Sequence, residues 1–139
     1  MSAFSFSERS IRKLSTVSLP VSKIVETALS ISPVDFAVVE GRRSVPRHAS
    51  LYRRGASKTM RSYHLIGYAV DVVNCPIDWS DWSQFELISL AMSDATDIYN
   101  LDCVYEGTLR YIWGGDWKMR DGVHHQWIYK DAHIRSRVC

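Results

Sequence analysis

Ser62-Tyr63-His64-Leu65-Ile66-Gly67-Tyr68-Ala69-Val70-Asp71-Val72-Val73 is the stretch whose reading decides the fold. From Tyr68 onward it is rich in β-branched and aromatic residues, the composition of a buried strand. Asp71 falls inside that apolar run, where a lone carboxylate is costly unless it is paired or bound to a cation. Gly67 permits a turn between the two polar residues, so that His64 can fold back beside Asp71. A neutral imidazole and a carboxylate form part of a zinc ligand set, which favours nitrogen and oxygen donors in a tetrahedron. They equally describe a core histidine hydrogen-bonded to a strand aspartate, and this stretch alone leaves both readings open.

Upstream, Ile11, Leu14 and Val17 recur at helical spacing and predict a short helix over residues 7–17, starting near Ser7. A second helix is expected from about Pro20 or Ser22 to Ser30, stopped by Ser32-Pro33. Asp35 to Glu40 reads as a strand ending at Gly41. The chain from Arg42 to Arg61 is basic, with Arg42, Arg43, Arg47, Arg53, Arg54, Lys58 and Arg61. Most of these read as a solvated helix and loop. Arg43 stands apart, just past a strand end, where a guanidinium can hold a carboxylate or a carbonyl oxygen in a fixed fork. Leu51 and Tyr52 are expected to give a short helix over Val45 to Arg54 its apolar face.

Downstream, Asn74-Cys75-Pro76 breaks the strand. The longest helix is expected over Ser83 to Tyr99, opened by a Ser83–Glu86 capping box, with Phe85, Ile88, Met92, Ala95 and Tyr99 as its core stripe. Val104 and Leu109 to Trp113 read as extended chain, Gly114-Gly115-Asp116-Trp117 as a tight turn, and His124 to Tyr129 as the final strand. Adjacent strand residues point to opposite faces, so His124 and His125 cannot easily serve one ion together. The third ligand is assigned to His124. Asp121, three residues earlier in a turn with Gly122, sits where a general base or acid belongs.

Composition bounds the class. The 139 residues are expected to form one domain, with a hydrophobic fraction of 46% that excludes a disordered chain. A net charge of +2 is too small to argue for nucleic acid. The basic run also lacks interleaved stacking aromatics apart from Tyr52. No apolar stretch approaches the roughly 18–20 residues of a membrane span. The first residues lack a basic region followed by an apolar one, so no export signal is expected. Cys75, Cys103 and Cys139 are widely spaced and odd in number, and read as reduced thiols.

Taken together, His64, Asp71, Asp121 and His124 resemble the zinc peptidases of the D-alanyl-D-alanine carboxypeptidase and L-alanyl-D-glutamate endopeptidase type. Their pattern is Ser-x-His, six residues, Asp, and later Asp-x-x-His. The closest likeness is to phage endolysins that cut the L-alanyl-D-glutamate bond of peptidoglycan. It extends through Phe6 to Ser10, Ser32 to Phe36, Gly41 to Ser44, Gly55 to Ser62 and the Trp113-Gly114-Gly115-Asp116-Trp117 turn. The sequence departs from the pattern at His48, where glutamine is usual, at Ile66 and Tyr68 around Gly67, and at Val123 and His125 around the last ligand. The resemblance implies zinc ligation by His64, Asp71 and His124, with Asp121 as catalytic base and acid. Arg43 would be the substrate-polarising arginine, and Ser62 would either support a ligand from behind or contact substrate.

The expectation is therefore a single α+β domain, residues 1–139. It has a small, mostly antiparallel sheet with helices packed on it and a zinc site in a cleft across strand ends. The expected activity is L-alanyl-D-glutamate cleavage in peptidoglycan stem peptides. The alternatives are D-alanyl-D-alanine carboxypeptidase activity and a zinc-containing cell-wall binding module without turnover. A monomer is expected, with peptidoglycan as partner, no nucleic acid and no membrane insertion. It would be made in the cytoplasm of the infected bacterial host and act on the wall after release.

Overall fold

A computed structural model describes residues 4–57, 59, 61–103 and 107–130. Its helices are α1 (Glu8–Leu14), α2 (Leu19–Ile31), α3 (Val45–Arg53) and α4 (Trp82–Asp102), and its strands are β1 (Phe36–Glu40), β2 (Ala69–Asn74), β3 (Leu109–Trp113) and β4 (His124–Tyr129). The strands form one antiparallel sheet in the order β1-β2-β4-β3, so the fold is α+β as expected. Val104, expected to be extended, lies outside the described residues, as do Lys58 of the basic run and Cys139. Cys75 and Cys103 are free thiols. No helix among the described residues is long and apolar enough to cross a membrane.

Strand periodicity divides the sheet into two faces. Val70 and Val72 of β2 and Trp127 of β4 join Phe36, Val38 and Leu109 in a core with Val21, Ile24, Val25 and Ala28 of α2 and Ile88, Met92 and Ala95 of α4. Asp71 and His124, one step out of phase with those residues, point to the other face. Within the core, Trp127 donates its indole N–H to Thr96 Oγ1 at 2.8 Å, so the largest buried ring carries no unsatisfied donor. Strand β1 lies at a sheet edge, and α1 covers part of it: the Val38 N–H donates to Ser10 Oγ at 3.1 Å. Ser7 caps α1 by accepting from the Ser10 N–H at 3.2 Å, as its position before the apolar stripe predicts.

Several expectations are corrected in detail. Helix α1 stops at Leu14, three residues short of Val17, because Ser15 and Thr16 turn their hydroxyls back onto the Arg12 and Lys13 carbonyls. Helix α4 begins at Trp82 after Asp81, and no Ser83–Glu86 capping box forms. Ser83 Oγ and Gln84 Nε2 both donate to the Asp81 carboxylate instead. The same helix runs past Tyr99 to Asp102. Asn100 there pins β3, donating to the Leu109 carbonyl at 2.8 Å and accepting from the Leu109 N–H at 2.9 Å. In α3 the expected apolar face is wrong. Tyr52 is exposed and Leu51 half-buried, and the residue that α3 buries is His48.

Candidate metal centre

Two local devices bring His64 to Asp71. A 3-10 turn spans Tyr63–Ile66, and Ser62 Oγ caps it by accepting from the His64 N–H at 3.2 Å. Gly67 ends the turn at φ 77°, a left-handed conformation that an L side chain adopts only with strain. The Gly67 carbonyl then accepts from the Ser18 N–H at 2.9 Å, which anchors the turn to the start of α2. Across the sheet, Asp71 of β2 stands directly opposite His124 of β4, and Glu40 of β1 pairs with Asp71 on its other side after a bulge. One row of the sheet therefore carries a carboxylate, a carboxylate and an imidazole.

His64 Nε2 lies 3.1 Å and His124 Nδ1 3.3 Å from the same oxygen, Asp71 Oδ1. Each ring has its other nitrogen committed. His64 Nδ1 donates to the Gly41 carbonyl at 2.8 Å, and His124 Nε2 donates to Gln126 Oε1 at 2.9 Å. A neutral ring so tied turns its lone pair at the carboxylate oxygen, a contact that is favourable only with a proton or a metal cation between. The cation is the better fit. Ligand atoms from His64, Asp71 and His124 lie within 4.8 Å of one another. Tetrahedral ligands at about 2.0–2.1 Å from zinc sit roughly 3.3–3.5 Å apart, close to the observed contacts. Both imidazoles also have the outer hydrogen-bond partner that metal-ligating histidines usually have. The His-Asp-His group can thus hold a metal.

The electrostatics agree with a site that attracts positive charge. Burial alone would raise Asp71, but the imidazoles of His124 and His64 beside it hold its carboxyl well below the usual carboxylate range. Burial pulls His124 down, yet the bond to Asp71 and the charge of that carboxylate bring it above the ordinary histidine value. Asp121 is raised, first by loss of water around it and then by repulsion from Asp71. The residue remains exposed at the rim, so that shift is kept modest by solvent. Its backbone is held more firmly than its side chain. The Asp121 N–H donates to the Gly114 carbonyl at 2.9 Å, and the His124 N–H reaches the Asp121 carbonyl at 3.3 Å. A Cβ on Gly114 would lie 2.4 Å from that Asp121 carbonyl oxygen, so only glycine lets the turn approach.

All six residues singled out in the sequence, Arg43, Ser62, His64, Asp71, Asp121 and His124, line one cleft of about 630 Å³. Arg43 is 9% exposed and uses its whole fork: Nε donates to Glu40 at 3.3 Å, Nη1 to His48 at 2.9 Å, and Nη2 lies 3.8 Å from Asp71 Oδ2. Its backbone N–H also donates to the His64 carbonyl at 2.9 Å. Trp117 covers His124 with ring centroids 5.0 Å apart. His125 turns away as strand alternation requires; it is fully buried, bonded to Tyr111 through Nδ1, and pushed by burial down to about 3.

Three residues that matter to the cleft were not picked out from sequence. Gln126 shares the face of His124 by the period of two, a signal that was available. Glu40 ends a strand and holds both Arg43 and Arg47, the latter at 2.9 Å. His48 carried no signal beyond its departure from the expected glutamine.

Comparison with known proteins gives a consistent answer. A family model described as phage L-alanyl-D-glutamate peptidase matches residues 1–135. The L-alanyl-D-glutamate peptidase of Escherichia phage T5 is 30% identical over 128 residues, 88% of each chain. That of Listeria phage A118 is 32% identical over 98 residues, covering 70% of this chain but 32% of the relative. The crystal structure of the Serratia marcescens L-Ala D-Glu endopeptidase ChiX superposes with a TM-score of 0.78 at 35% identity over 91% of both chains.

Proposed function

The chain belongs to the phage L-alanyl-D-glutamate peptidase family and is a peptidase of bacterial peptidoglycan, and from that premise we propose how its cleft works. His64, Asp71 and His124 would hold one zinc ion, and the bond cut is L-alanyl-D-glutamate in the stem peptide. The observation that carries this reading is the convergence of two imidazoles, each with its outer nitrogen already bonded, on one carboxylate oxygen. Bound there, zinc would supply a water acidified toward a pKa of about 7 and polarisation of the scissile carbonyl.

The chain's own residues do the rest. Gly41 and Gln126 fix the tautomers of His64 and His124, so that both present neutral donors. Arg43 offers Nη2 toward the cleft, where its charge steadies the developing oxyanion of the carbonyl. Asp121, at the rim beside the ligands, takes a proton from the attacking water and returns it to the leaving amine. A divalent cation beside Asp121 would favour its ionised form, against the burial and the Asp71 charge that raise its carboxyl. Ser62 lies on the cleft wall next to His64, in reach of the stem peptide. The protein acts as a monomer, made in the infected bacterial cytoplasm and reaching the wall after release; its phage relatives support that setting.

Mass spectrometry of purified cell wall after incubation with the zinc-loaded protein tests the reading. Fragments with a new D-glutamate amino end and an alanine carboxyl end are expected. Loss of terminal D-alanine alone would make it a carboxypeptidase, and intact stem peptides would leave a binding module.

A further inference from the structure

Helix α3 buries a histidine where a helix of this composition would ordinarily bury an aliphatic side chain. His48 is 0% exposed, and both its ring nitrogens are engaged. Nδ1 lies 2.9 Å from Arg43 Nη1, and Nε2 lies 2.6 Å from the Thr59 carbonyl. A guanidinium can only donate and a carbonyl can only accept. The ring must therefore carry its proton on Nε2 and keep a lone pair on Nδ1, which is the neutral form.

We infer that His48 is a positioning residue for the reaction: it sets the plane and reach of the Arg43 guanidinium by accepting from Nη1 while its other nitrogen is anchored on Thr59. This deepens the proposed function and rests on the role given there to Arg43. A guanidinium is flat, so bonds at two of its nitrogens fix its orientation. Glu40 holds Nε and His48 holds Nη1, and the remaining amino group, Nη2, is left facing Asp71 and the cleft. Thr59 belongs to the segment that lines the cleft together with Ser57, Arg61 and Ser62. His48 thus ties three parts of the site together: α3, the arginine after β1, and the far wall of the cleft. Burial makes the bond to Arg43 matter, since an unpaired Arg43 amino group there has little water to turn to.

The test uses the full chain loaded with zinc, with zinc content measured for every variant. His48→Leu keeps the bulk but removes both bonds, and kcat should fall on the order of 10²-fold with KM little changed, as for a misplaced group that acts in the transition state. His48→Gln supplies one acceptor and one donor in place of the two ring nitrogens and should recover most of that loss. In an Arg43→Ala background His48→Leu should add no further loss. A His48→Leu variant with intact zinc and parental kcat would overturn the inference. So would a folded His48→Gln variant as impaired as His48→Leu, or an additive loss in the double variant. Arg43→Ala cleaving at the parental rate would instead remove the role of Arg43 itself. Nitrogen-15 NMR of the parental protein decides independently of any variant: Nε2 of His48 is expected to be protonated and Nδ1 not, and a proton on Nδ1 contradicts the arrangement.

Discussion

His124 and His125 are neighbours in sequence and have opposite fates. His124 opens onto the cleft, meets Asp71 across the strand pair and has Trp117 over its ring. His125 points into the helix-covered face, bonds Tyr111 and leaves Nε2 without a hydrogen-bond partner among the described residues. A single step along β4 reverses the charge preference: a facing carboxylate lifts His124, and burial drives His125 down to about 3. The identity of a side chain does not place it in the cleft. Strand phase and the group placed opposite do.

The hardest way to break this contrast is to remove the carboxylate that distinguishes the two faces. Asp71→Ala should lose both zinc and hydrolysis, because one of the three donor groups goes and the charge that balances the cation goes with it. Zinc by atomic absorption and peptide release on the same sample check it. Asp121→Ala should behave differently, keeping zinc and fold while hydrolysis falls by about 10²–10⁴-fold, the usual contribution of a positioned acid–base group. Loss of zinc from Asp121→Ala would exchange the roles of the two carboxylates.

The buried face makes its own forecast in pH. His125 has a folded value of about 3 against an ordinary 6.5. The unfolded chain therefore takes up a proton between those limits that the folded chain refuses. Stability from a neutral His125 is fully present above about 6.5 and is lost as pH falls toward 3, by up to about 1.4 kcal/mol per pH unit. The double variant His125→Phe/Tyr111→Phe removes both polar partners together and should flatten that acid limb in urea denaturation, with zinc content unchanged. An acid limb as steep as the parent's would show that His125 is not the group responsible.

The smallest effect concerns the turn that delivers His64. Gly67→Ala places a Cβ at φ 77° and 3.2 Å from the Ser18 nitrogen, and the left-handed conformation alone should cost about 1–2 kcal/mol. Urea midpoints measure it, and a variant as stable as the parent would mean the turn relaxes freely.

The sheet was legible because β-branched runs at 36–40 and 68–73 have no other good use, and the grouping of His124 with His64 and Asp71 was legible because strand alternation assigns His124 and His125 to different faces. Gly67 was readable as a turn for the same local reason. The Ser83–Glu86 cap was misread because Asp81, two residues earlier, competes for the Ser83 hydroxyl and captures it. His48 was hidden for a different cause. Its partners, Arg43 and the Thr59 carbonyl, come from a strand end and a distant loop, and nothing in the periodicity of a basic helix announces them. Glu40 is similar: in sequence it is only the last residue of a strand, yet it pairs with two arginines, and against the opposing effect of burial their bonds hold its carboxyl below the usual range.

The most direct test of the central claim is zinc stoichiometry in His124→Ala and His125→Ala measured side by side. The cleft-facing variant should lose its metal, and the core-facing variant should retain about one zinc per chain, in keeping with a three-ligand catalytic site. Retention of zinc by His124→Ala, or its loss from a folded His125→Ala, would contradict the assignment of the metal to the cleft face.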